Sequence, residues 1–134
     1  MELFGAYLGI DNFSIWLRSV SLSFPRERDD QERPRKQSSA NQMTFVFNST
    51  DNPNLLDWMD TPGRRRNGSV TYVDAVGNVK RITHFTNAFC LAYEEAFDSQ
   101  PDAAPFTTTL TISAETLSFD DMAHFDHWPP LTLN

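Results

Sequence analysis

The residues best suited to chemistry are crowded near the carboxyl terminus, in the stretch DDMAHFDH, residues 120–127. His124, Asp126 and His127 are weak candidates for holding a divalent metal ion, because imidazole and carboxylate groups are common ligands of such ions. A metal site needs ligands on a fixed frame, whereas this stretch is typical of a polar terminal segment. We therefore expect no metal, no cofactor and no catalytic residue.

The remaining reactive side chains do not form a catalytic pattern. Glu94 and Glu95 are adjacent on a predicted strand and point to opposite faces, so they cannot act as a paired acid and base. His84 has no evident partner and is best interpreted as a hydrogen-bonded histidine of a sheet. Cys90 alternates with alanines, which favours inert packing. Since the chain also lacks a glycine-rich phosphate loop and a Cys-x-x-Cys pair, an enzyme is disfavoured.

A second unusual stretch is PRERDDQERPRK, residues 25–36, in which nine of twelve residues are charged. Such a composition cannot bury itself and has neither a helical nor a strand period. We predict an extended charged loop over residues 25–40, between two strands, with a role in contacts between molecules. Its contact residues would be Arg26, Arg28, Asp29, Asp30, Glu32, Arg33, Arg35 and Lys36.

The charge distribution limits the possible partners. Eighteen acidic residues against eleven basic ones give a net charge of -7, the wrong sign for a protein that grips nucleic acid with its whole surface. Five basic residues lie in the charged segment, and three more, Arg64, Arg65 and Arg66, lie in TPGRRRNG. The pattern predicts an acidic body with two basic projections, which suits head-to-tail contact between copies.

The chain ends and the cysteine content indicate the compartment. The start, MELFGAYLGIDNFS, lacks a basic region, and no apolar run approaches the roughly 20 residues of a membrane span. A single cysteine cannot form an internal disulfide. We expect synthesis in the cytoplasm, no membrane insertion, and one domain over residues 1–134.

Alternating apolar residues predict a mainly β chain. Strands are expected over 14–24, over 41–49, and in a hairpin that turns near Gly77 and Asn78. Arg18 is the one residue that departs from the alternation in the first of them. The next strand has Phe89, Leu91, Tyr93 and Phe97 on one face and small residues on the other, and both faces are expected to be covered, though unequally. Residues 106–119 form the longest predicted strand, and the tail 119–134 is expected to be irregular.

One short helix interrupts the strands. Asn52 can cap it, Pro53 suits its first position, and Leu55, Leu56 and Met59 share the face that would pack on the sheet. With seven or eight strands, the expected fold is a small antiparallel β-barrel or two-sheet sandwich with one α-helix on its side.

Several segments in this order resemble the haemolysin-coregulated protein (Hcp) family of type VI secretion tube proteins, in its divergent branch. They are RDDQERPRKQSSA, TFVFNSTDNPNLLDWM, GSVTYVDAVGNVKRITHFTNAFCLAYEEAF and TTTLTISAETLSF followed by HFDHW. The resemblance implies a fold similar to phage tail-tube proteins and a hexameric ring whose copies stack into the inner tube of a contractile injection machine. Sheath, spike and effector proteins would be its partners, and firing would expel it from the cell.

Two alternatives remain open at this stage. The first is a monomeric β-barrel that binds a small ligand or peptide, with the charged loop as a lid and with Phe89, Tyr93 and Trp16 lining a closed pocket. The second and weaker one is a hydrolase that uses the terminal histidines and aspartates.

Overall fold

The computed structural model describes residues 4–23, 41–103 and 105–121. Within these ranges the chain forms eight strands, all paired antiparallel, and one helix, as the alternation predicted. The elements are β1 (Gly5–Ile10), β2 (Phe13–Leu17), β3 (Ser19–Ser23), β4 (Asn41–Asn48), α1 (Pro53–Asp60), β5 (Arg66–Val73), β6 (Val79–Phe97), β7 (Phe106–Ala114) and β8 (Thr116–Asp121).

The long strand β6 belongs to two sheets. Its first part, up to Ala88, pairs with β5, and part of the same stretch pairs with β8 on its other side. From Phe89 onward it pairs with β7. Sheet 1 therefore contains β2, β1, β5, the first part of β6 and β8. Sheet 2 contains the second part of β6, followed by β7, β4 and β3.

The two sheets are also connected at Arg18, where the chain bends between β2 of sheet 1 and β3 of sheet 2. The strand predicted over 14–24 is two strands, because β2 pairs with β1 whereas β3 pairs with β4. The Arg18 backbone N–H donates to Val46 of β4 at 2.6 Å, which holds the bend. Strands that pass from one sheet to another at a bend are a known way to build barrel-like sandwiches. The predicted fold class is confirmed.

The core lies between the two sheets and under the helix. Its largest fully buried side chains are Trp58 of α1, Phe45 and Phe47 of β4, and Phe85 of β6. The Trp58 and Phe85 rings stack nearly parallel, with centroids 6.0 Å apart. Burial of large aromatic side chains is a dominant stabilising term in a domain of this size. Four aromatic side chains thus form the centre of this core, whereas Phe4, Trp16, Tyr93, Phe97, Phe106 and Phe119 are exposed.

The helix begins as the sequence indicated. The Asn52 side chain accepts hydrogen bonds from the backbone N–H groups of Asn54 and Leu55, and proline occupies the first turn. Of the predicted packing residues, Leu55 and Met59 are buried and Leu56 is partly buried. The sequence interpretation missed Trp58, which is the most deeply buried residue of α1.

The strands differ from the prediction in three further ways. Residues 5–10 form β1, which was not predicted. The predicted strand 106–119 is broken at Glu115, so β7 pairs with the second part of β6 and β8 with the first. Residues 119–121, assigned to an irregular tail, are the end of β8. The longest described strand is β6, because the chain continues through the corner at Ala88 without a break in strand conformation.

Candidate assembly surfaces

The histidine and cysteine interpreted as inert are held by ordinary contacts. His84 Nε2 lies 3.2 Å from Asp120 Oδ2 across the β6–β8 pair, which confirms a hydrogen-bonded sheet histidine. Burial raises the pKa of the Cys90 thiol, and the charge of Asp60 raises it further. Because the thiolate is the reactive form, Cys90 is poorly suited to nucleophilic chemistry.

The residues described by the structure contain no group of three or more His, Cys, Asp or Glu side chains that could hold a metal ion. The weak metal candidates His124, Asp126 and His127 lie outside the described ranges. In the same ranges no helix has the length and apolar character needed to cross a membrane.

The arginines of TPGRRRNG, predicted as a second basic projection, make contacts within the molecule. Arg64 and Arg66 form ion pairs with Asp57 at 2.6 and 3.2 Å, and Arg66 also pairs with Asp11 at 2.8 Å. The Arg65 guanidinium lies 4.9 Å from the centre of the Phe89 ring. These contacts fasten α1 and the start of β5 to the β1–β2 turn. Because Arg64 and Arg65 are still exposed, their role toward a partner stays a prediction.

The side of sheet 2 that faces away from the core is lined with hydroxyl groups. Across β3, β4 and β7, Ser21 lies beside Thr44 and Thr44 beside Thr111, while the next row places Ser19 and Thr109 on either side of Val46. The fourth strand, β6, adds Ala92 and Glu94 to these rows. The Oγ1 atoms of Thr44 and Thr111 lie 3.2 Å apart. We call this side the hydroxyl face, defined by Ser19, Ser21, Thr44, Thr107, Thr109 and Thr111.

The other notable surface of sheet 2 is the end where β6 finishes and β7 begins. Tyr93, Phe97 and Phe106 are 49%, 64% and 50% exposed, although they lie on the side of the sheet that faces the core elsewhere. The Phe97 and Phe106 rings are in contact, with centroids 5.1 Å apart. The prediction that both faces of this strand are covered was wrong, since every residue from Leu91 to Gln100 is exposed.

Acidic residues accompany these rings. Glu94, Glu95, Asp98 and Asp102 are all exposed, and none of them pairs with a cation of the described ranges. Glu95 lies on the same side of the sheet as the rings, whereas Glu94, paired with Thr109, lies on the hydroxyl face. The Tyr93 hydroxyl donates a hydrogen bond to Asp60 Oδ1 at 2.6 Å, which joins its ring to the end of α1. We call the set the hairpin end, defined by Tyr93, Glu95, Phe97, Asp98, Asp102 and Phe106.

The sequence did contain a signal for the hairpin end. Four acids within nine residues accompany the apolar side chains of the strand, which is unusual for a strand with both faces buried. A bulge between Cys90 and Ala92 also shifts the pairing with β7. The strict alternation used for the prediction does not hold beyond such a bulge.

The aromatic residues proposed for a closed pocket do not come together. Trp16 lies on β2 of sheet 1, where it packs edge-on against Tyr7 and is 57% exposed. Tyr93 lies at the hairpin end of sheet 2, and Phe89 is covered by Arg65. The structure therefore gives no support to a pocket lined by these three side chains.

The predicted contact residues Arg26, Arg28, Asp29, Asp30, Glu32, Arg33, Arg35 and Lys36 lie outside the described ranges, and their role stays a prediction. The strands that flank them are described. β3 ends at Ser23 and β4 begins at Asn41, which pairs with Ala114 at the far end of β7 from Phe106. The charged segment is thus attached to sheet 2 at the end opposite the hairpin end.

Comparison with known structures identifies similar folds. Hcp1 from Flavobacterium johnsoniae is 27% identical, with a TM-score of 0.71 over 88% of this chain and 96% of that chain. Hcp1 from Salmonella typhimurium is 12% identical, with a TM-score of 0.72 over 92% and 89%. A chain of the PVC sheath-tube complex, an extracellular contractile injection system in its extended state, is 16% identical, with a TM-score of 0.63 over 87% and 88%.

No curated protein matches the chain. The sequence matches the family model described as "Hemolysin coregulated protein Hcp (TssD)" over residues 3–129. Because this match covers almost the whole chain, the protein belongs to the haemolysin-coregulated protein family, a family of structural tube proteins.

Proposed function

We propose that the protein is a structural subunit of the inner tube of a type VI secretion apparatus, in which hexameric rings stack and carry effectors or are expelled with them. The observation that carries this proposal, beside family membership, is the exposed aromatic hairpin end. A monomeric soluble protein rarely leaves several large rings exposed together, and such patches mark sites of protein–protein contact. In a stacked assembly the neighbouring copies would cover them.

The hydroxyl face supplies the second requirement of a tube, a lining to which cargo does not adhere. Serine and threonine side chains hydrogen-bond to water and offer little apolar area, so they hold a passing polypeptide weakly. Ala92 completes the row of this face that contains Thr44, and Val46 and Glu94 lie in the row that contains Thr109; neither row has an arginine, a lysine or an aromatic residue. We assign the hydroxyl face to the lumen.

The partners follow from this role. Further copies of the chain, and sheath, spike and effector proteins, are the expected contacts. Nucleic acid is not expected, because the net charge is -7. In addition, five of the six basic residues in the described ranges make a hydrogen bond, an ion pair or a ring contact with another residue of the chain. The protein would be made and assembled in the cytoplasm and released outside the cell on firing.

Electron microscopy of the purified chain tests the proposal. Negative-stain class averages should contain annular particles with sixfold symmetry and a central opening, and longer stacks at higher protein concentration. Compact particles without an opening at every concentration would contradict it.

Replacing Arg26, Arg28, Arg33, Arg35 and Lys36 by serine tests the charged segment separately. The variant should remain folded and form rings, but stack less than the unmodified protein, because mixed charges at a seam provide orientation and modest affinity. Unchanged stacking would show that this segment is not a contact arm.

A further inference from the structure

The two edges of sheet 2 carry opposite charges on the side of the hydroxyl face. Ser19, Val46, Thr109 and Glu94 form one row across β3, β4, β7 and β6, so this row ends in a carboxylate at the β6 edge. Arg18 directly precedes Ser19 at the opposite edge, and both charged residues are exposed. Each copy of the chain therefore carries a base at one edge of the sheet and an acid at the other.

The Arg18 side chain extends toward the hydroxyl face. Its guanidinium donates to Asn48 Oδ1 at 3.5 Å, and Asn48 follows Val46 by two residues on β4, so these two β4 side chains lie on the same side of the sheet. The amide is a neutral partner, and the contact is longer than an ordinary hydrogen bond. Within the described ranges no carboxylate forms an ion pair with Arg18. Its charge is thus weakly compensated in a single copy.

Glu94 is the complementary group, but it lies on the far edge of the same sheet. Three strand spacings separate β3 from β6, which corresponds to about 14 Å at the usual distance between neighbouring strands. In the described ranges no cation forms an ion pair with Glu94. The base and the acid come together when the β3 edge of one copy lies beside the β6 edge of the next.

Both edges are open to a neighbouring strand. Among the residues that the structure describes, β3 pairs with β4 alone, and residues 89–97 of β6 pair with β7 alone. Open strand edges are sites of contact with other chains. Three successive antiparallel pairings make β3 antiparallel to β6, so β3 of a copy related by rotation is also antiparallel to β6. The same geometry can therefore repeat at every seam of a ring.

We propose that Arg18 of one copy pairs with Glu94 of the next copy in the same ring, and that this pair decides which chains can close a ring together. The inference rests on the proposed function and concerns contacts within a ring, not contacts between rings. Because the base and the acid lie on different edges, the contact is heterologous and every seam is alike. Complementary charges at a seam fix its register and oppose partners of like charge.

Charge reversal tests the pair. The first variant is Arg18→Glu, the second is Glu94→Arg, and the third carries both changes. Glu95→Arg is the matched control, because Glu95 is the next residue of the same edge strand but lies on the other side of the sheet. Native mass spectrometry measures how many copies of each chain a ring contains, and thermal melting measures the folding of each variant.

Each single reversal should raise the concentration at which rings form by about tenfold or more, because it places like charges side by side at every seam. The double variant and the control should form rings like the unmodified protein. An equal mixture of the two single variants should form rings that contain both chains in equal number, since alternation of the two chains joins a base to an acid at every seam.

Three results would overturn the inference: rings of unchanged stability in either single variant, a folded double variant that does not recover rings, or random composition of the mixed rings. Loss of rings in the control would do the same, because the effect would then not belong to the hydroxyl face. Absence of rings in the unmodified protein would instead refute the proposed function.

Discussion

The indole N–H of Trp58 donates a hydrogen bond of 2.9 Å to the backbone carbonyl of Ala88, the last residue of β6 paired with β5 before the strand passes to sheet 2. The helix therefore supports the corner of the longest strand at the point where its pairing partner changes. The same indole stacks on Phe85, so one side chain joins α1 to both the backbone and the core of sheet 1.

Removing this contact should destabilise the fold in two steps. Trp58→Phe keeps a ring but leaves the Ala88 carbonyl without this donor, which should lower the free energy of unfolding by about 1–3 kcal/mol. Trp58→Ala also removes the ring and should cost about 3–5 kcal/mol. Denaturant unfolding measures both. Leu56→Ala, at a partly buried position of the same helix, should cost less than either, and an equal loss for all three would contradict the assigned role.

Gly68, which lies in β5 at a shift in the pairing register with β6, should not tolerate a side chain. A Cβ atom there would lie 2.5 Å from Phe85 Cζ and 2.6 Å from the Gly9 carbonyl oxygen, and the Phe85 ring is held by Trp58. Gly68→Ala should lower the free energy of unfolding by about 1–3 kcal/mol. In Gly9→Ala the new atom would meet its nearest neighbour at 3.6 Å, so little change is expected. Equal stability of the two variants would contradict this close packing.

The turn between β5 and β6 should become less stable in acid. Backbone N–H groups of Asn78 and Val76 donate to the Asp74 carboxylate, and these bonds hold its pKa below the ordinary value. A carboxyl whose pKa is lowered by folding stabilises the native state above its unfolded pKa, and this stabilisation is lost as the pH falls through the folded pKa.

Thermal melting of the unmodified protein and of Asp74→Asn tests this pH dependence. The unmodified protein should melt at a higher temperature at pH 7, and the difference should shrink as the pH is lowered toward 3. A difference that is the same at both ends of this range would show that the charge of Asp74 is not responsible.

Chemical labelling tests the assignment of the lumen. Thr109→Cys on the hydroxyl face, in a Cys90→Ser background, should react in assembled tubes with a small maleimide but not with a maleimide on a large polymer. Asn54→Cys, on the exposed side of α1, should react with both reagents. Reaction of Thr109→Cys with the polymer reagent, or with neither reagent, would place the hydroxyl face outside the tube or inside a contact.

The helix and most strands were predictable from local patterns, whereas the pairing of the strands with one another was not. The Asn52–Pro53 start of the helix and the turn at Gly77 depend on backbone preferences that act within a few residues. The breaks at Arg18 and Glu115 depend on which strand pairs with the chain before and after each residue, and strand alternation is the same on both sides of such a corner.

The candidate surfaces were predictable only in part for a similar reason. Alternation indicates that Tyr93 and Phe97 share one face of the strand, but exposure depends on whether another element covers that face. The helix ends at Asp60, beside Tyr93, and leaves Phe97 and Phe106 exposed. Likewise, the ion pairs of Arg64 with Asp57 and of Arg66 with Asp57 and Asp11 could not be predicted, because these side chains approach one another only in the folded chain.

Ring formation is tested most directly by the mass of the unmodified protein in solution, measured by light scattering on a sizing column over a range of concentrations. A tube subunit should give a species with six times the mass of the chain, and larger species as the concentration rises. A monomer at every concentration would contradict it, because the exposed aromatic hairpin end would then persist in a protein that makes no ring.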